Sequence, residues 1–297
     1  MRPGGETDVI PGSFTYYRPS SIEDAIKFLI DHGDEARPLA GGHSLIPMMK
    51  LRMAAPTHLV DLRGLSALTG IGETSDTITI GAMVTQAQLQ ASHLLTAKLP
   101  ILRETSAQIA DPQVRSVGTL GGNVANGDPG NDMPAAMMAL DASYVLTGGA
   151  GERRVEARAF YNGAYDTALQ PGEILTAISV ATPPRHHGYA YEKLKRKIGD
   201  YATAAAAVIL TLGDGKVRSC AIALTNVADR PLFAEEASAL VVGTACDAAT
   251  VKRAAEAATA ITEPSGDGRG PAEYRRAMAG VMVARALRSA LSRAQGA

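Results

Sequence analysis

The sequence predicts an α+β fold divided into more than one domain. The chain has 297 residues, which exceeds the length at which a single hydrophobic core usually stops growing. Helical and strand-like apolar patterns alternate along it, and the paired prolines Pro183 and Pro184 interrupt them. We therefore expect two α/β units, over residues 9–62 and 63–185, followed by a smaller α+β domain over residues 186–297.

The first unit, residues 9–62, is expected to open with a helix. Ser20 and Glu23 have the spacing of a capping box, and the helix should end near Gly33. Four apolar residues follow the cap at helical spacing. They are Ile22, Ile26, Leu29 and Ile30. Strands are predicted over residues 37–40 and 57–62, and the first of them runs into a pair of glycines.

The second unit, residues 63–185, is predicted to be α+β and not a doubly wound parallel sheet. Residues 77–80 alternate as a half-buried strand does, and helices are expected from Thr85 onward and over residues 98–106. Three further strands are predicted, with a glycine-rich turn between the first two. They span residues 143–147, 154–157 and 174–180.

The third unit, residues 186–297, begins with a predicted hairpin. Its strands cover residues 205–212 and 217–225 and are joined by a Gly-Asp-Gly turn. Asp247 is expected to cap a helix, and a last helix follows Pro271. The first of these helices carries Val251, Ala255, Ala258 and Ile261 at helical spacing. Arginines on the last helix predict a solvated or partner-facing surface. They are Arg275, Arg276, Arg285, Arg288 and Arg293.

Charge and apolar content exclude several classes of protein. The 29 Lys and Arg nearly balance the 30 Asp and Glu, and the one basic run is residues 193–197, so a nucleic acid partner is not expected. No apolar segment has the length of a membrane span, and the N-terminal residues lack the apolar core of a signal peptide. We expect a cytoplasmic protein.

The two cysteines, Cys220 and Cys246, show neither C-x-x-C spacing nor a histidine cluster nearby. They are predicted to be buried thiols, and no metal ligand is assigned. An iron–sulfur cluster needs about four thiolates, so any such centre must lie on a partner. No Ser-His-Asp order or H-x-x-x-H spacing occurs either, so no catalytic residue is assigned. The chemistry is expected to belong to a cofactor.

Two glycine pairs in polar turns are the strongest motifs. One lies within Ala40-Gly41-Gly42-His43-Ser44 and the other within Thr119-Leu120-Gly121-Gly122-Asn123. Glycines let backbone N–H groups approach phosphate closely, and neighbouring hydroxyl or amide groups can add hydrogen bonds. Neither stretch has the Rossmann or Walker spacing. A single pair is equally consistent with a plain strand-to-helix turn, but two such loops favour a dinucleotide held from both sides.

Four further residues have both a structural and a functional interpretation. A lone histidine in a glycine loop is typical of a loop-stabilising residue, so His43 receives a binding role only. Asp132 ends the turn-rich residues 126–132, where it forms an Asx-type turn or accepts from a ribose hydroxyl or a flavin N–H. Lys193 lies on a solvated strand or at the ligand. Tyr201 packs in the core or stacks on a flat cofactor ring.

Four long motifs resemble the flavoprotein, or medium, subunits of the molybdenum hydroxylase family. They cover residues 10–14, 40–50, 119–132 and 189–203, and the likeness extends over nearly the whole chain after the first eight or so residues. The resemblance implies a FAD-binding domain of the vanillyl-alcohol-oxidase (PCMH) type. Its two subdomains would be residues 9–62 and 63–185, and the C-terminal domain of these flavin subunits would be residues 186–297.

The resemblance also implies a noncovalent FAD site. In such proteins the two glycine loops hold the pyrophosphate, an aspartate matching Asp132 binds the cofactor, and a tyrosine matching Tyr201 lies near the flavin ring. Ile109, Leu175 and Lys193 match positions that contact the cofactor. The complete predicted set is Ala40, Gly41, Gly42, His43, Ser44, Leu45, Ile109, Thr119, Gly121, Gly122, Asn123, Asp132, Leu175, Lys193 and Tyr201.

The implied function is electron transfer within a larger complex. Members of this family work with a large molybdenum subunit, which also holds copper in those that oxidise carbon monoxide, and with a small subunit that carries two [2Fe–2S] clusters. The likeness is greatest to the carbon monoxide-oxidising members. The chain would take electrons from the clusters and pass them to a quinone or another acceptor, in a dimer of heterotrimers at the inner face of the membrane.

Two alternatives remain open from the sequence. The large partner could instead oxidise an N-heterocycle or an aldehyde, because the flavin subunit does not read the substrate. In a different class, the chain could be a structural subunit that has the fold but binds no cofactor; the intact glycine pairs and Asp132 argue against this.

Overall fold

The computed structural model describes residues 10–184 and 186–296. The first unit of the protein is built on a parallel three-stranded sheet. Its strands are β1 (Thr15–Tyr17), β2 (Ala36–Leu39) and β3 (His58–Asp61), in the order β1-β3-β2. Helix α1 (Ile22–His32) connects β1 to β2, and α2 (Leu45–Lys50) follows β2. Both helices thus start close to the sheet, and the first glycine loop lies between β2 and α2.

The cap of α1 differs from the prediction by one residue. Ser21, not Ser20, is the N-cap, and its hydroxyl accepts from the Asp24 amide at 3.1 Å. Ser20 instead donates from its amide to the Asp24 carboxylate at 2.8 Å. The predicted apolar face is also wrong at one end, because Ile30 is 53% exposed while Ala25 is fully buried. The buried face of α1 is therefore formed by Ala25, Ile26 and Leu29, and Ile30 lies outside it.

An antiparallel five-stranded sheet organises the second unit, in agreement with its predicted α+β character. Its strand order is β4-β5-β10-β6-β7. The strands are β4 (Ile71–Glu73), β5 (Thr77–Gly81), β6 (Ser143–Gly148), β7 (Gly151–Glu156) and β10 (Ile174–Ala181). Between β7 and β10 the chain forms a two-stranded sheet that the sequence did not predict, β8 (Tyr161–Gly163) with β9 (Asp166–Thr167). Both strands are too short to give a recognisable alternation.

Six short helices join β5 to β6 and build the core of the second unit. They are α3 (Gln86–Ala91), α4 (His93–Lys98), α5 (Pro100–Gln108), α6 (Pro112–Val117), α7 (Leu120–Ala125) and α8 (Met133–Ala139). The predicted helix start at Thr85 is confirmed, since Thr85 and Gln88 form a capping box. Every residue of α8 is buried, so this helix packs on all sides.

The third unit is a four-stranded antiparallel sheet covered by helices. Its strands, in sheet order, are β11 (Gly188–Leu194), β12 (Ala204–Gly213), β13 (Lys216–Thr225) and β14 (Leu232–Phe233). The predicted hairpin is β12 with β13. The helices are α9 (Glu235–Val241), α10 (Ala248–Ala260) and α11 (Ala272–Ala294). Asp247 caps α10 as predicted, but Ile261 lies beyond its end and is 41% exposed.

Alternation along β12 joins the second and third units. Ala205 and Ala207 belong to the core that contains α8, whereas Ala204, Ala206 and Val208 pack with α10 and α11 on the opposite face. Because successive side chains of a strand point to opposite faces, one strand serves both cores.

None of the helices within residues 10–184 and 186–296 combines the length and apolar character needed to cross a bilayer.

Arg275 contradicts the prediction that the arginines of α11 are solvated or face a partner. Its side chain is buried, and the residue is 4% exposed. The guanidinium donates to the carbonyl of Thr203 at 3.1 Å, to that of Ser265 at 2.6 Å and to that of Asn226. These carbonyls lie in connecting loops and need donors from outside the sheet. Arg276, Arg285 and Arg288 are exposed as expected, and Arg293 is half-buried in an ion pair with Glu104 at 2.7 Å.

Arg275→Met is expected to lower the free energy of unfolding by about 3 kcal/mol, because it leaves three buried or half-buried carbonyls without their charged donor. Urea unfolding followed by circular dichroism measures the change. Arg285→Ala, on the exposed face of the same helix, is the control and should stay within about 0.5 kcal/mol of the wild type. Equal losses in the two variants would contradict this role of Arg275.

Candidate functional site

A cavity of about 980 Å³ lies where the three units meet. Its size falls at the upper end of the range of about 300–1,000 Å³ typical of ligand pockets. Every residue predicted from the sequence to bind FAD lines its wall. These residues are Ala40, Gly41, Gly42, His43, Ser44, Leu45, Ile109, Thr119, Gly121, Gly122, Asn123, Asp132, Leu175, Lys193 and Tyr201. Residues far apart in the chain therefore form one site.

The first glycine loop lines this cavity and contains unpaired backbone amides. Gly42 has a φ of +74°, a conformation that favours glycine. The Nδ1 atom of His43 lies 2.8 Å from the Gly41 carbonyl oxygen, so His43 stabilises the loop, while its binding role stays a prediction. Within the described part of the chain, the N–H groups of residues 41–45 donate to no acceptor. Successive free amides of this kind form a concave site for an anion such as phosphate.

The second glycine loop, at the start of α7, uses its amides differently. The Leu120 amide donates to the Val84 carbonyl at 2.8 Å, and the Gly121 amide donates to the Ala82 carbonyl at 2.8 Å. The hydroxyl of Thr119 accepts from the Gly122 amide at 3.0 Å. These amides are therefore occupied within the protein. The second loop contributes a side-chain-free surface to the cavity more than a set of free donors.

The two loops pack directly against each other. A Cβ atom at Gly41 would lie 2.5 Å from the Val117 carbonyl oxygen and 2.8 Å from the Gly118 Cα, and both contacts are with backbone. A Cβ atom at Gly122 would lie 2.8 Å from the Thr119 hydroxyl and 3.4 Å from the Ala40 Cβ. The glycines are thus required by the approach of the loops to one another, in addition to any approach of a ligand.

Asp132 and Lys193 form a buried ion pair beside the cavity. The Lys193 ammonium donates to Asp132 Oδ2 at 2.7 Å, and the two side chains are only 1% and 7% exposed. Tyr191 donates its hydroxyl to Asp132 Oδ1 at 2.5 Å. The interpretation of Lys193 as a solvated strand residue is therefore wrong. Both oxygens of the Asp132 carboxylate thus already accept one hydrogen bond, and each keeps a further lone pair. In the predicted acceptor role, a ligand would donate a second hydrogen bond to one of these oxygens.

Burial governs the ionisation of this group of residues. It raises the pKa of the Asp132 carboxyl, while the adjacent Lys193 ammonium and the Tyr191 hydroxyl oppose the shift. Burial, followed by the charge of Asp132, raises the pKa of Tyr191 well above its ordinary value. Tyr191 therefore stays protonated and acts as a donor. Because α8 follows Asp132 and Lys193 lies on β11, the ion pair joins the second and third units.

Tyr201 lies at the cavity wall and not in the core, since it is 43% exposed. Its hydroxyl donates to Asp128 Oδ2 at 3.3 Å. Its ring covers Gly130, where a Cβ atom would lie 2.7 Å from the Tyr201 Cδ1. Burial, followed by the charge of Asp128, raises the pKa of the Tyr201 hydroxyl. The core interpretation is wrong, and stacking on a cofactor ring stays a prediction.

The remaining predicted positions are apolar. Ile109 follows α5 and is 8% exposed, and Leu175 on β10 is 5% exposed.

Tyr165 is a cavity residue that sequence reasoning missed; it has a φ of +59° and is 53% exposed. Its amide donates to the Gly127 carbonyl at 2.8 Å. Gly127 belongs to the turn-rich residues 126–132. A glycine at this position is the only sequence feature that indicates a close approach of another segment to this turn.

Metal ligands do not gather in the described ranges: no three His, Cys, Asp or Glu side chains come together there. Cys246 is buried as predicted, whereas Cys220 is only half-buried, and both are free thiols. The wall as a whole combines residues with free amides, glycine surfaces, several apolar side chains and one ion pair. This donor set fits a dinucleotide with a flat ring and a pyrophosphate.

Two family models match the chain. Residues 12–183 match the FAD binding domain in molybdopterin dehydrogenase, and residues 189–290 match the CO dehydrogenase flavoprotein C-terminal domain. The chain therefore belongs to the FAD-binding flavoproteins of the molybdopterin dehydrogenase family. The predicted family and the predicted fold class are both confirmed.

The relatives of the chain in this family include proteins of carbon monoxide oxidation. It is 61% identical over 287 residues to the carbon monoxide dehydrogenase medium chain of Afipia carboxidovorans, covering 97% of this chain and 100% of that protein. It is 47% identical to the corresponding chain of Hydrogenophaga pseudoflava, covering 96% and 99%. A solved structure of the cyanide-inactivated Cu,Mo-CO dehydrogenase matches with a TM-score of 0.95 and 62% identity, covering 96% of this chain and 99% of that one.

Proposed function

We propose that this chain is the FAD-carrying medium subunit of an aerobic carbon monoxide dehydrogenase that contains molybdenum and copper. Its large partner would oxidise carbon monoxide with water to carbon dioxide, two protons and two electrons. The chain receives these electrons from the [2Fe–2S] clusters of a small partner and delivers them to a quinone or another acceptor. The complex is a cytoplasmic dimer of heterotrimers that can associate with the inner face of the membrane.

The observation that carries this proposal is the single cavity formed by both glycine loops in a chain 61% identical to a carbon monoxide dehydrogenase medium chain. A structural subunit without cofactor has no need of five unpaired amides in residues that line a cavity of this size. The identity extends over nearly the whole length of both proteins, which favours carbon monoxide over an aldehyde or an N-heterocycle as the substrate of the complex.

Each part of the wall has a role toward FAD in this proposal. The amides of residues 41–45 hold the pyrophosphate, and the glycine surface of the second loop lets it approach α7. Ile109 and Leu175 exclude water from one side of the ring. Asp132 and Lys193 place one acceptor and one cation at the wall. When bound, FAD supplies a redox group that exchanges electrons singly or in pairs.

No catalytic residue is assigned to this chain. The Tyr191 and Tyr201 hydroxyls keep their protons, since burial raises the pKa of each. The residues of the cavity wall thus bind and orient, and oxidation of the substrate takes place on the large partner.

The test uses the intact complex purified with this chain. We expect stoichiometric FAD, with molybdenum, copper and iron on the partners, and loss of the oxidised flavin absorbance when carbon monoxide is added without oxygen. Flavin reduced by an aldehyde or an N-heterocycle, and not by carbon monoxide, would assign the chain to another molybdenum hydroxylase. A complex without flavin would overturn the proposal in favour of the structural subunit.

A further inference from the structure

We propose that three cations, Lys193 in the cavity wall and Arg115 and Lys195 behind it, raise the reduction potential of the bound FAD. We call these three residues the cationic cluster. The inference rests on the proposed FAD site and adds a function for Arg115 and Lys195, neither of which lines the cavity.

The cationic cluster converges on one short segment, residues 108–110. The Lys193 ammonium donates to the Gln108 carbonyl at 3.2 Å, and the Lys195 ammonium donates to the Gln108 side-chain oxygen at 2.6 Å. Arg115 Nη1 donates to the carbonyls of Ile109 at 2.8 Å and Ala110 at 3.2 Å. Three consecutive residues are therefore held by cations from two different elements, β11 with its following loop and α6.

The held segment is part of the cavity wall. Ile109 and Ala110 both line the cavity, and Ala110 has a φ of +41°, which is unusual for a residue with a side chain. Gly199, in the loop that carries Tyr201, lies against Ala110, since a Cβ atom there would be 3.5 Å from the Ala110 carbonyl. Arg115 and Lys195 thus lie one peptide layer behind the wall and Lys193 is part of it, on the side of the cavity where Tyr201 is found.

The charges of the cationic cluster are not balanced. Within the described residues, Asp132 is the one carboxylate that forms an ion pair with a member of the cationic cluster, and its partner is Lys193. In residues 10–184 and 186–296, Arg115 and Lys195 make no ion pair. Burial lowers the pKa of Lys195 and the charge of Lys193 lowers it further; the charge of Asp132 opposes the shift, and Arg115 adds to it. The neighbouring Asp111 is exposed and caps α6 with its side chain. An excess of positive charge therefore faces the wall from behind.

Such an excess favours the reduced ligand. Two-electron reduction gives the isoalloxazine ring a negative charge at neutral pH, and charge near the ring tunes its electronic properties. A partly buried site screens this attraction less than bulk water does. The cationic cluster therefore binds the reduced, anionic form more tightly than the oxidised, neutral form.

Arg115 offers two substitutions that separate charge from hydrogen bonding. Arg115→Gln removes the charge and retains a donor, whereas Arg115→Lys retains the charge and loses the planar fork. We expect Arg115→Gln to weaken binding of reduced relative to oxidised FAD about tenfold, which corresponds to a potential lower by about 30 mV for a two-electron couple. Lys195→Gln should act in the same direction, and Arg115→Lys should keep the wild-type potential.

The measurement is a redox titration of the flavin absorbance in the purified complex, with FAD content determined in each sample. Arg103→Gln, an exposed arginine on the adjacent helix α5, is the matched control and should leave the potential unchanged. Equal potentials in the wild type and in both Gln variants would overturn the inference. An equal shift in Arg115→Lys and Arg115→Gln would do so as well, because it would assign the effect to hydrogen bonding. A wild-type complex without FAD would instead contradict the proposed function.

Discussion

Gly41→Val is expected to remove at least nine-tenths of the FAD from the assembled complex. The new side chain would begin 2.5 Å from the Val117 carbonyl oxygen and 2.8 Å from the Gly118 Cα, and backbone atoms cannot rotate away as a side chain can. The two glycine loops must then separate, at a cost of about 1–3 kcal/mol in overpacking, and the amides of residues 41–45 leave the position that faces the second loop. Both halves of the pyrophosphate site are lost together.

The measurement is the ratio of FAD to protein, from the absorbance of flavin released by denaturation. Gly72→Val is the control, because a Cβ atom at Gly72 on β4 meets nothing within 4 Å. It should retain full FAD content. Circular dichroism of both variants shows whether the fold is kept. Full FAD content in a folded Gly41→Val variant would contradict the two-loop site.

The glycine loops show how much of the site could be predicted from the sequence. Short motifs with glycines and small polar neighbours carry a local signal, so both loops were located correctly and lie at one cavity. The unequal use of their amides could not be predicted. It depends on Ala82 and Val84, which accept from the second loop and come from a distant part of the chain. Hydrogen-bond partners of this kind are set by tertiary structure.

Burial of charged residues was the main failure of prediction for the same reason. Lys193 belongs to a basic run and Arg275 to an arginine-rich helix, and both patterns are typical of solvated surfaces. Each is buried because groups remote in sequence supply its partners, Asp132 for Lys193 and three loop carbonyls for Arg275. By contrast, strands and helices set by local alternation and caps, such as the β12–β13 hairpin and the helix capped by Asp247, were predicted well.

Asp132→Asn is expected to lower the free energy of unfolding by about 3–5 kcal/mol, the usual cost of leaving one member of a buried ion pair alone. Lys193 is 1% exposed in its side chain, and after this change its charge would face only the Gln108 carbonyl. Urea unfolding of the complex-free chain measures the loss. Asp141→Asn is the control, since the side chain of Asp141 is 68% exposed in its ion pair with Arg158, and it should lose less than about 1 kcal/mol.

The partner substitution, Lys193→Met, should behave differently with pH. Burial already raises the pKa of Asp132, and loss of the ammonium removes the largest opposing influence. The folded variant then keeps the Asp132 proton to a higher pH than the unfolded chain does, so its stability falls as the pH rises above about 4, the ordinary pKa of an aspartate. Lys193→Met should therefore be closest to the wild type near pH 4 and furthest from it at pH 7.

The double variant Asp132→Asn/Lys193→Met separates the pair from its surroundings. Neither charge remains, so it should be more stable than Asp132→Asn alone and should lose the pH dependence of Lys193→Met. Additive losses in the two single variants would mean that the residues act independently, and the ion pair would then not be what joins α8 to β11. A double variant that regains stability but has lost FAD from the assembled complex would show that the ion pair contributes to FAD binding in addition to the fold.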